Sequence, residues 1–361
     1  MKRFTRSLLS LCLALLLCAA LLPGSARADG ETAGGTTAPA SASSRYLVTG
    51  YNAHTSAITI NQSASIDITL SCIEGTGVPA RVVRGVDNFR FGDATVPVYD
   101  AATQLDQVEN LITQGCDAII AYAFDNQAIA SSAKEVEDAG IPFILWDRDM
   151  AEGASPAADL FVGLDTYNQA YLAGKAFFQD LKDKGVEATD IISIMGATND
   201  NNALNRQKGF EDAAAEFGLT IAQTVPSDWD AEKALTGFTA AFQAHPDCNV
   251  VLIASDFIVT AVQTVLEAND AWFTNSEEGH IWICSQDGFP TGVKFMQEGY
   301  MDYSGMYNVD GMCENFANAV YDLIDGTYSG ESKLYTDPMI VAAADINNLD
   351  LWGAHYMDEA A

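Results

Sequence analysis

At 361 residues and 48% hydrophobic, with mean hydropathy near zero, the chain is long enough for two domains with full cores and too apolar to be disordered. Its formal net charge of −31 excludes a nucleic-acid surface, which needs clustered Lys and Arg, and argues against docking on anionic lipid. What remains is a soluble protein with a neutral or cationic partner.

Residues 1–28 read as an export signal. Lys2, Arg3 and Arg6 form the basic region, Leu8–Leu22 is the apolar stretch, and Ala26-Arg27-Ala28 is a small-x-small cleavage site. Lipidation at Cys18 is the alternative, but Leu17 before it is too large and the apolar run continues past it. The cysteines beyond the signal (Cys72, Cys116, Cys248, Cys284 and Cys313) are odd in number and scattered, mostly inside apolar runs. No Cys/His ligand spacing appears, so no metal is expected and each reads as a small buried hydrophobe.

Residues 29–64 read as a tether or N-terminal extension. Asp29–Ser44 is small and polar, while Arg45–Gln62 alternates weakly and is either an extra strand or more tether. From Ile66 a regular alternation begins. Strands are expected at Ile66–Cys72, Thr95–Tyr99, Asp117–Phe124, Ile141–Trp146 and Leu160–Leu164, with helices at Pro79–Phe91, Leu105–Gln114 and Asn126–Ala139. Gly140 suits the residue after the last of these helices. The same rhythm then restarts, with helices at Gln169–Lys184, Asn205–Phe217, Ala231–Ala244, Val259–Asn269, Gly292–Glu298 and Asp310–Ile324. The strands among them are Asp190–Met195, Leu219–Val225, Val250–Ala254, His280–Ser285, Tyr300–Met306 and Met339–Ala344. Strands alternating with helices mean βαβ units and parallel sheets, and two such series predict two doubly wound domains with a cleft between them.

Polar groups gather at the strand ends, where open α/β sheets bind ligands. In the first half these are Glu74, Tyr122, Asp125 and Asp147-Arg148. In the second half they are Asn199–Asn202 with Arg206, then Asp228-Trp229-Asp230, Ser255-Asp256, Gln286-Asp287 and Tyr307. Carboxylates accept from hydroxyls, guanidinium groups donate to ring and hydroxyl oxygens, and Trp229 offers a flat apolar face. That mixture suits a polyhydroxylated ring. The competing reading is ordinary: Asp and Asn here are helix caps, Trp229 is packing, and Arg206 pairs with Glu211 or Asp212 on its own helix.

Several motifs in fixed order sharpen the choice. They are VYDA at Val98–Ala101, DQVENLITQGCDAII at Asp106–Ile120, GIPFILWDRD at Gly140–Asp149 and GLDTYNQAYLAGK at Gly163–Lys175. NRQKGFEDA at Asn205–Ala213, SDWDAEKAL at Ser227–Leu235, AHPDCNVVLIASD at Ala244–Asp256 and CSQDG at Cys284–Gly288 complete them. With these, residues from about Ile66 to Ile346 resemble the periplasmic sugar-binding proteins of the ribose-binding type, the soluble receptors of ABC importers. The resemblance implies an α/β fold of two doubly wound parallel-sheet domains joined by a three-crossing hinge, the type 1 periplasmic binding protein. It implies an N-terminal lobe of residues 65–164 plus 308–335 and a C-terminal lobe of 165–307 plus 336–355, closing over one sugar.

By position, the resemblance makes Asp147 and Arg148 the sugar-hydroxyl pair of the first lobe. It makes Arg206 a donor at the start of a second-lobe helix and Trp229 the aromatic on the sugar face. Ser255 stands where Asn is frequent, followed by Asp256; Asp287 is the carboxylate near the late hinge; Tyr307 stands where Gln is frequent. The first strand–helix loop departs from the pattern, with Glu74 and Arg81 in place of two stacking aromatics. Trp146, Tyr122 and Phe124 are candidate replacements. The implied ligand is a monosaccharide, and Arg81, Arg84, Arg148 and Arg206 keep an anionic or phosphorylated sugar as the alternative. The implied partners are the sugar and an ABC transporter permease, or a membrane sensor, with the chain monomeric, extracytoplasmic, non-enzymatic and free of cofactors.

Two enzyme readings compete. Gly75-Thr76-Gly77-Val78-Pro79-Ala80 matches a GxGxxA dinucleotide fingerprint, with Asp100 downstream, which suggests a nicotinamide-dependent oxidoreductase. No Lys/His or Tyr/Lys catalytic pair accompanies it. A hydrolase lacks GxSxG, and His245 and His280 occupy common structural places. A sugar-responsive repressor would need a DNA-binding headpiece where the signal and tether stand.

Overall fold

The computed structural model describes residues 100–113, 118–324, 326–349, 351 and 353–354, together with the backbone of six short strands before residue 98. The signal segment, Glu74, and the side chains of Arg81 and Arg84 lie outside the described residues. The early strands are β1 (Tyr46–Val48), β2 (Thr55–Ile60), β3 (Leu70–Ile73), β4 (Thr76–Val78), β5 (Ala80–Val82) and β6 (Gly92–Pro97). Then follow α1 (Ala101–Thr113), β7 (Ala118–Ala121), α2 (Ile129–Ala139), β8 (Phe143–Trp146), β9 (Leu160–Leu164) and α3 (Thr166–Asp183). Next come β10 (Ile191–Met195), α4 (Asn201–Glu216), β11 (Ile221–Pro226), α5 (Ala231–Ala244), β12 (Val250–Ile253) and α6 (Val259–Ala268). The chain ends with β13 (Trp282–Asp287), α7 (Pro290–Glu298), β14 (Tyr303–Met306), α8 (Val309–Ile324), β15 (Lys333–Thr336) and β16 (Met339–Ala342).

Twelve of these strands form two six-stranded sheets, and β1 with β5 and β3 with β4 form two-stranded ones. The first has the order β15-β9-β8-β7-β2-β6 and the second β11-β10-β12-β13-β14-β16. The pairs from β15 to β7 and from β11 to β14 are parallel, as the alternation predicts. Two strands run against their neighbours: β2 beside β6 and β7, and β16 beside β14. β2 therefore brings part of the expected extension into the first sheet. The helix expected over Pro79–Phe91 is corrected in its first turn, because β5 is a strand paired antiparallel with β1. Gly75, Gly77 and Pro79 beside Val78, Val82 and Val83 give that stretch poor helix propensity. Strands β4 and β5 also run through the GxGxxA motif, so no helix opens there as a dinucleotide site requires.

Period-two alternation puts a core on each face of the second sheet. Ile192, Ile194, Val251, Ile253 and Ile283 pack with Phe238 of α5, Val262 of α6 and Met296 of α7. Ile191, Val250, Leu252 and Cys284 pack with Phe177 of α3 and Phe210 of α4. On the first sheet Ile119, Phe143, Leu145 and Phe161 meet Val108 of α1 and Val136 of α2. Trp146 meets Phe316 of α8 edge-on at 5.4 Å, so it is core. Local signals hold the helix ends. Asp230 caps α5 by accepting the Lys233 N–H at 2.8 Å, and Gly140 closes α2 with φ 71°.

Among the described residues the chain crosses between the two six-stranded sheets three times, after β9, after β14 and after β15. Register sets the crossings side by side, since Leu164 pairs with Thr336 and Met306 with Met339. Cys248 and Cys284 are buried and unbridged, as expected of small hydrophobes.

Candidate functional site

Three strand ends turn their side chains through unusual backbone. Asp147 follows β8 with φ 60°, Asp287 ends β13 with φ 88°, and Asp228 and Trp229 follow β11 with φ 52° and 58°. Left-handed backbone costs a bulky non-glycine residue of order 1–3 kcal/mol and clusters at ligand clamps. Asp147, Asp287 and Trp229 are also buried, whereas Asp228 is exposed in an ion pair with Lys233.

Arg206 organises the second-sheet side. It lies on α4, 1% exposed, and pairs with Asp287 through both terminal nitrogens. Nη1 also donates to the Ala254 carbonyl at 2.8 Å, Nη2 to the Tyr307 hydroxyl at 3.1 Å, and Nε to Gln169 Oε1 at 2.9 Å. Its five N–H groups are thus all directed at protein acceptors. The expected alternative, pairing with Glu211 or Asp212, is not formed; Asp212 pairs with Lys208. Burial alone would lower the Arg206 pKa, but Asp287, Tyr307 and Asp147 outweigh it and hold the guanidinium charged. Burial pushes the Asp287 carboxyl up, and the Arg206 charge opposes it. The Ser255 side chain, fully buried, interacts with that carboxylate.

The first sheet meets this group through Asp147, whose Oδ1 accepts the Tyr307 hydroxyl at 2.6 Å. Asn202 donates to the Asp147 main-chain oxygen at 3.2 Å and to its carboxylate at 3.4 Å. Burial pushes the Asp147 carboxyl up to about 6 against the Tyr307 hydrogen bond and the charges of Arg148 and Arg206. Arg148 forms a second bridge, with Nε 2.8 Å from Asp200 Oδ2. Its guanidinium lies 4.5 Å from the centre of the Tyr122 ring and 5.9 Å from that of Trp229. Of the proposed replacement aromatics, Tyr122 is thus the one beside Arg148. Trp229 packs so closely that a Cβ at Gly196 would stand 2.1 Å from its ring, and its indole N–H donates to Asp200 at 2.8 Å.

Asp256 is occupied otherwise. Its carboxylate accepts the Gly288 and Phe289 N–H groups at 3.0 Å each, and burial, then Asp287, push its pKa well up. Glu74 and the Arg81 side chain lie outside the described residues. Asp200 caps α4 through the Asn202 N–H at 2.9 Å while serving Arg148 and Trp229. Asn201 spans to Asn126 at 2.6 Å and to the Met150 carbonyl at 2.7 Å, and the Asn126 N–H donates to the Asn199 carbonyl at 3.1 Å. The run Asn199–Asn202 was visible in the sequence, but a cap and a cross-cleft ligand look alike there. The two described histidines occupy structural places: His280 bridges Asp302 at 3.0 Å and the Phe273 carbonyl at 2.7 Å, and His245 follows α5. Among the described residues no group of His, Cys, Asp and Glu is arranged to hold a metal, and no helix is long and apolar enough to cross a membrane.

Comparison with known proteins places this geometry. The family model described as a periplasmic binding protein domain matches residues 90–327. A D-apiose import binding protein of Paraburkholderia graminis is 28% identical over 170 residues, covering 47% of this chain and 53% of that protein. A ribose import binding protein of Salmonella typhimurium is 24% identical over 198 residues, covering 55% and 62% respectively. The chain therefore spans less than two thirds of the length of these curated relatives. In fold it is similar to a periplasmic solute binding protein of an ABC transporter from Actinobacillus succinogenes, solved with bound D-allose. The TM-score is 0.61 at 24% identity, over 69% of this chain and 86% of that one. The family consists of solute-binding proteins, not enzymes. Two sheets joined by three crossings and a family match over most of the chain identify it: it belongs to the periplasmic binding protein domain family.

Proposed function

We propose that the chain is an extracytoplasmic receptor that captures one uncharged sugar, a monosaccharide, between two lobes and delivers it to the permease of an ABC importer. The observation that carries this reading is the gathering of Asp147, Arg148, Arg206, Trp229, Asp287 and Tyr307 into buried, hydrogen-bonded groups that link the two sheets. Acceptors, donors and an indole face together match ring hydroxyls and a ring face. The sugar names of the relatives, apiose, ribose and allose, fall in the same chemical class.

Charge balance favours an uncharged ligand over a phosphorylated one. Arg206 is matched by Asp287 and Arg148 by Asp200, leaving Asp147 as a surplus carboxylate. A phosphate brought here would meet guanidinium groups already neutralised. In this reading the first lobe is residues 65–164 plus 308–335 with β2 added, and the second is 165–307 plus 336–355. Residues 1–28 direct export. Ligand bridges the lobes and shifts the equilibrium toward the closed form through its greater affinity for that form.

A thermal-shift screen of pentoses, hexoses, polyols and sugar phosphates, followed by calorimetric titration, tests this. At about 100 times its Kd a ligand adds about 2.7 kcal/mol to stability. The expected result is a shift with an uncharged monosaccharide, without turnover. A response confined to sugar phosphates, or to none of the panel, overturns it.

A further inference from the structure

Tyr307 fills a place between the lobes that suits a ligand hydroxyl. Its phenol donates to Asp147 Oδ1 at 2.6 Å and accepts from Arg206 Nη2 at 3.1 Å. Asp147 stands at the end of β8 in the first sheet, and Arg206 lies on α4 beside the second. One protein hydroxyl therefore joins an acceptor on one side of the cleft to a donor on the other. The ring is 3% exposed, its centre 5.6 Å from the Arg206 guanidinium, and the Tyr307 N–H donates to the Asp287 carbonyl at 3.1 Å. Tyr307 follows β14 directly and so stands at the second crossing, which makes this the hinge end of the cleft.

We propose that Tyr307 determines ligand size: its phenol takes the place of one ligand hydroxyl and the carbon that bears it, so the cleft selects a pentose over a hexose. The inference rests on the sugar reading above. While the phenol is in place, Arg206 has no N–H left for ligand, and Asp147 Oδ1 is engaged. Shortening Tyr307 frees this donor and acceptor together, in the spacing that an added hydroxyl needs. A polar pair left open in a closed cleft disfavours a ligand that cannot fill it and favours one that can.

The test is calorimetric titration of the full chain with D-ribose, D-xylose, D-allose and D-galactose, comparing the unsubstituted protein with Tyr307→Ser and Tyr307→Phe. The unsubstituted chain is expected to bind its best pentose more tightly than either hexose. Tyr307→Ser is expected to move the hexose-to-pentose affinity ratio upward by about tenfold or more. Tyr307→Phe keeps the ring and removes the bridge, so it weakens all sugars by a similar factor and keeps their order. Should Tyr307→Ser fail to fold, this second substitution decides: an unchanged order supports ring volume as the selector, and admission of hexoses overturns it. A Tyr307→Ser ratio within about twofold of the original, or equal hexose and pentose binding before substitution, also overturns the inference while leaving the sugar reading intact. Failure of the unsubstituted chain to bind any of the four sugars overturns the inference, and the wider thermal-shift panel then decides the sugar reading separately.

Discussion

Asp147, proposed above as a ligand acceptor, is held in the fold at a cost in stability. Burial pushes its carboxyl up to about 6, because lost hydration outweighs the Tyr307 donor and the nearby guanidinium charges. The unfolded chain keeps an ordinary value near 4, so between about pH 4 and 6 the native state binds the proton more tightly. The stability this group contributes is fully present below about pH 4 and is lost as pH rises through about 6. A shift of roughly two pKa units corresponds to about 3 kcal/mol. Asp256 and Asp287 are shifted in the same direction and leave a residual slope of the same sign. Asn tolerates the left-handed backbone at this position. Asp147→Asn is therefore expected to flatten the fall in urea midpoint from about pH 4 to 6 and to raise stability at neutral pH by up to about 3 kcal/mol. The same substitution is expected to weaken sugar binding by about 1.5–3 kcal/mol, since a charged acceptor becomes neutral. A parallel change of both quantities, or of neither, contradicts this division.

At the scale of elements, the N-terminus of α4 carries more than a helix start. Asp200 caps the helix, pairs with Arg148 across the cleft and holds the Trp229 indole. Asn is as good a cap as Asp, so Asp200→Asn isolates the charge. It is expected to destabilise the protein by about 3 kcal/mol by removing the carboxylate beside a buried guanidinium, and Asp200→Ala by about 1 kcal/mol more through the lost cap. Chemical denaturation measures both, and a change in tryptophan emission reports the altered setting of Trp229. This double duty also shows what the sequence conceals. The strands β8 and β12 are legible because all-apolar runs fit only buried parallel positions, and α5 because Asp230 announces it. β15, Lys-Leu-Tyr-Thr, has no such run and passes as loop. The strand at β5 appears where a helix is expected, since local apolar spacing cannot reveal a partner strand some 35 residues earlier. Asp147, Arg206 and Asp287 are legible as strand-end and helix-start groups. That Arg206 is wholly enclosed by Gln169, Ala254, Asp287 and Tyr307 is a long-range fact that no local pattern carries.

For the whole molecule, the protein's own groups tie the two sheets together. Asn201 supplies three of the links, to Asn126, to the Asp149 carbonyl at 3.3 Å and to the Met150 carbonyl at 2.7 Å. Further links are Arg148 to Asp200, Tyr307 to Asp147, Asn202 to Asp147 and the Asn126 N–H to the Asn199 carbonyl. The three crossings lie side by side, so the remaining restraint on opening comes from these cross-cleft bonds. Each hydrogen bond contributes about 1 kcal/mol net, and Asn201→Ala removes up to about 3 kcal/mol of closure energy. Asn201 lies on α4 at the cleft rim and is half-buried, so the cores on both faces of the second sheet are untouched. Under the proposed function, in which ligand prefers the closed form, a lower closed population reduces apparent affinity by the same factor. Asn201→Ala is expected to enlarge the ligand-free radius of gyration in small-angle scattering, to weaken sugar binding by about tenfold or more, and to leave the ligand-saturated radius unchanged. An unaltered ligand-free radius together with unaltered affinity would mean that the two lobes meet without energetic consequence at this rim. Closure would then be driven by the buried Asp147–Tyr307–Arg206–Asp287 chain, and Tyr307→Phe would be the substitution that opens the cleft.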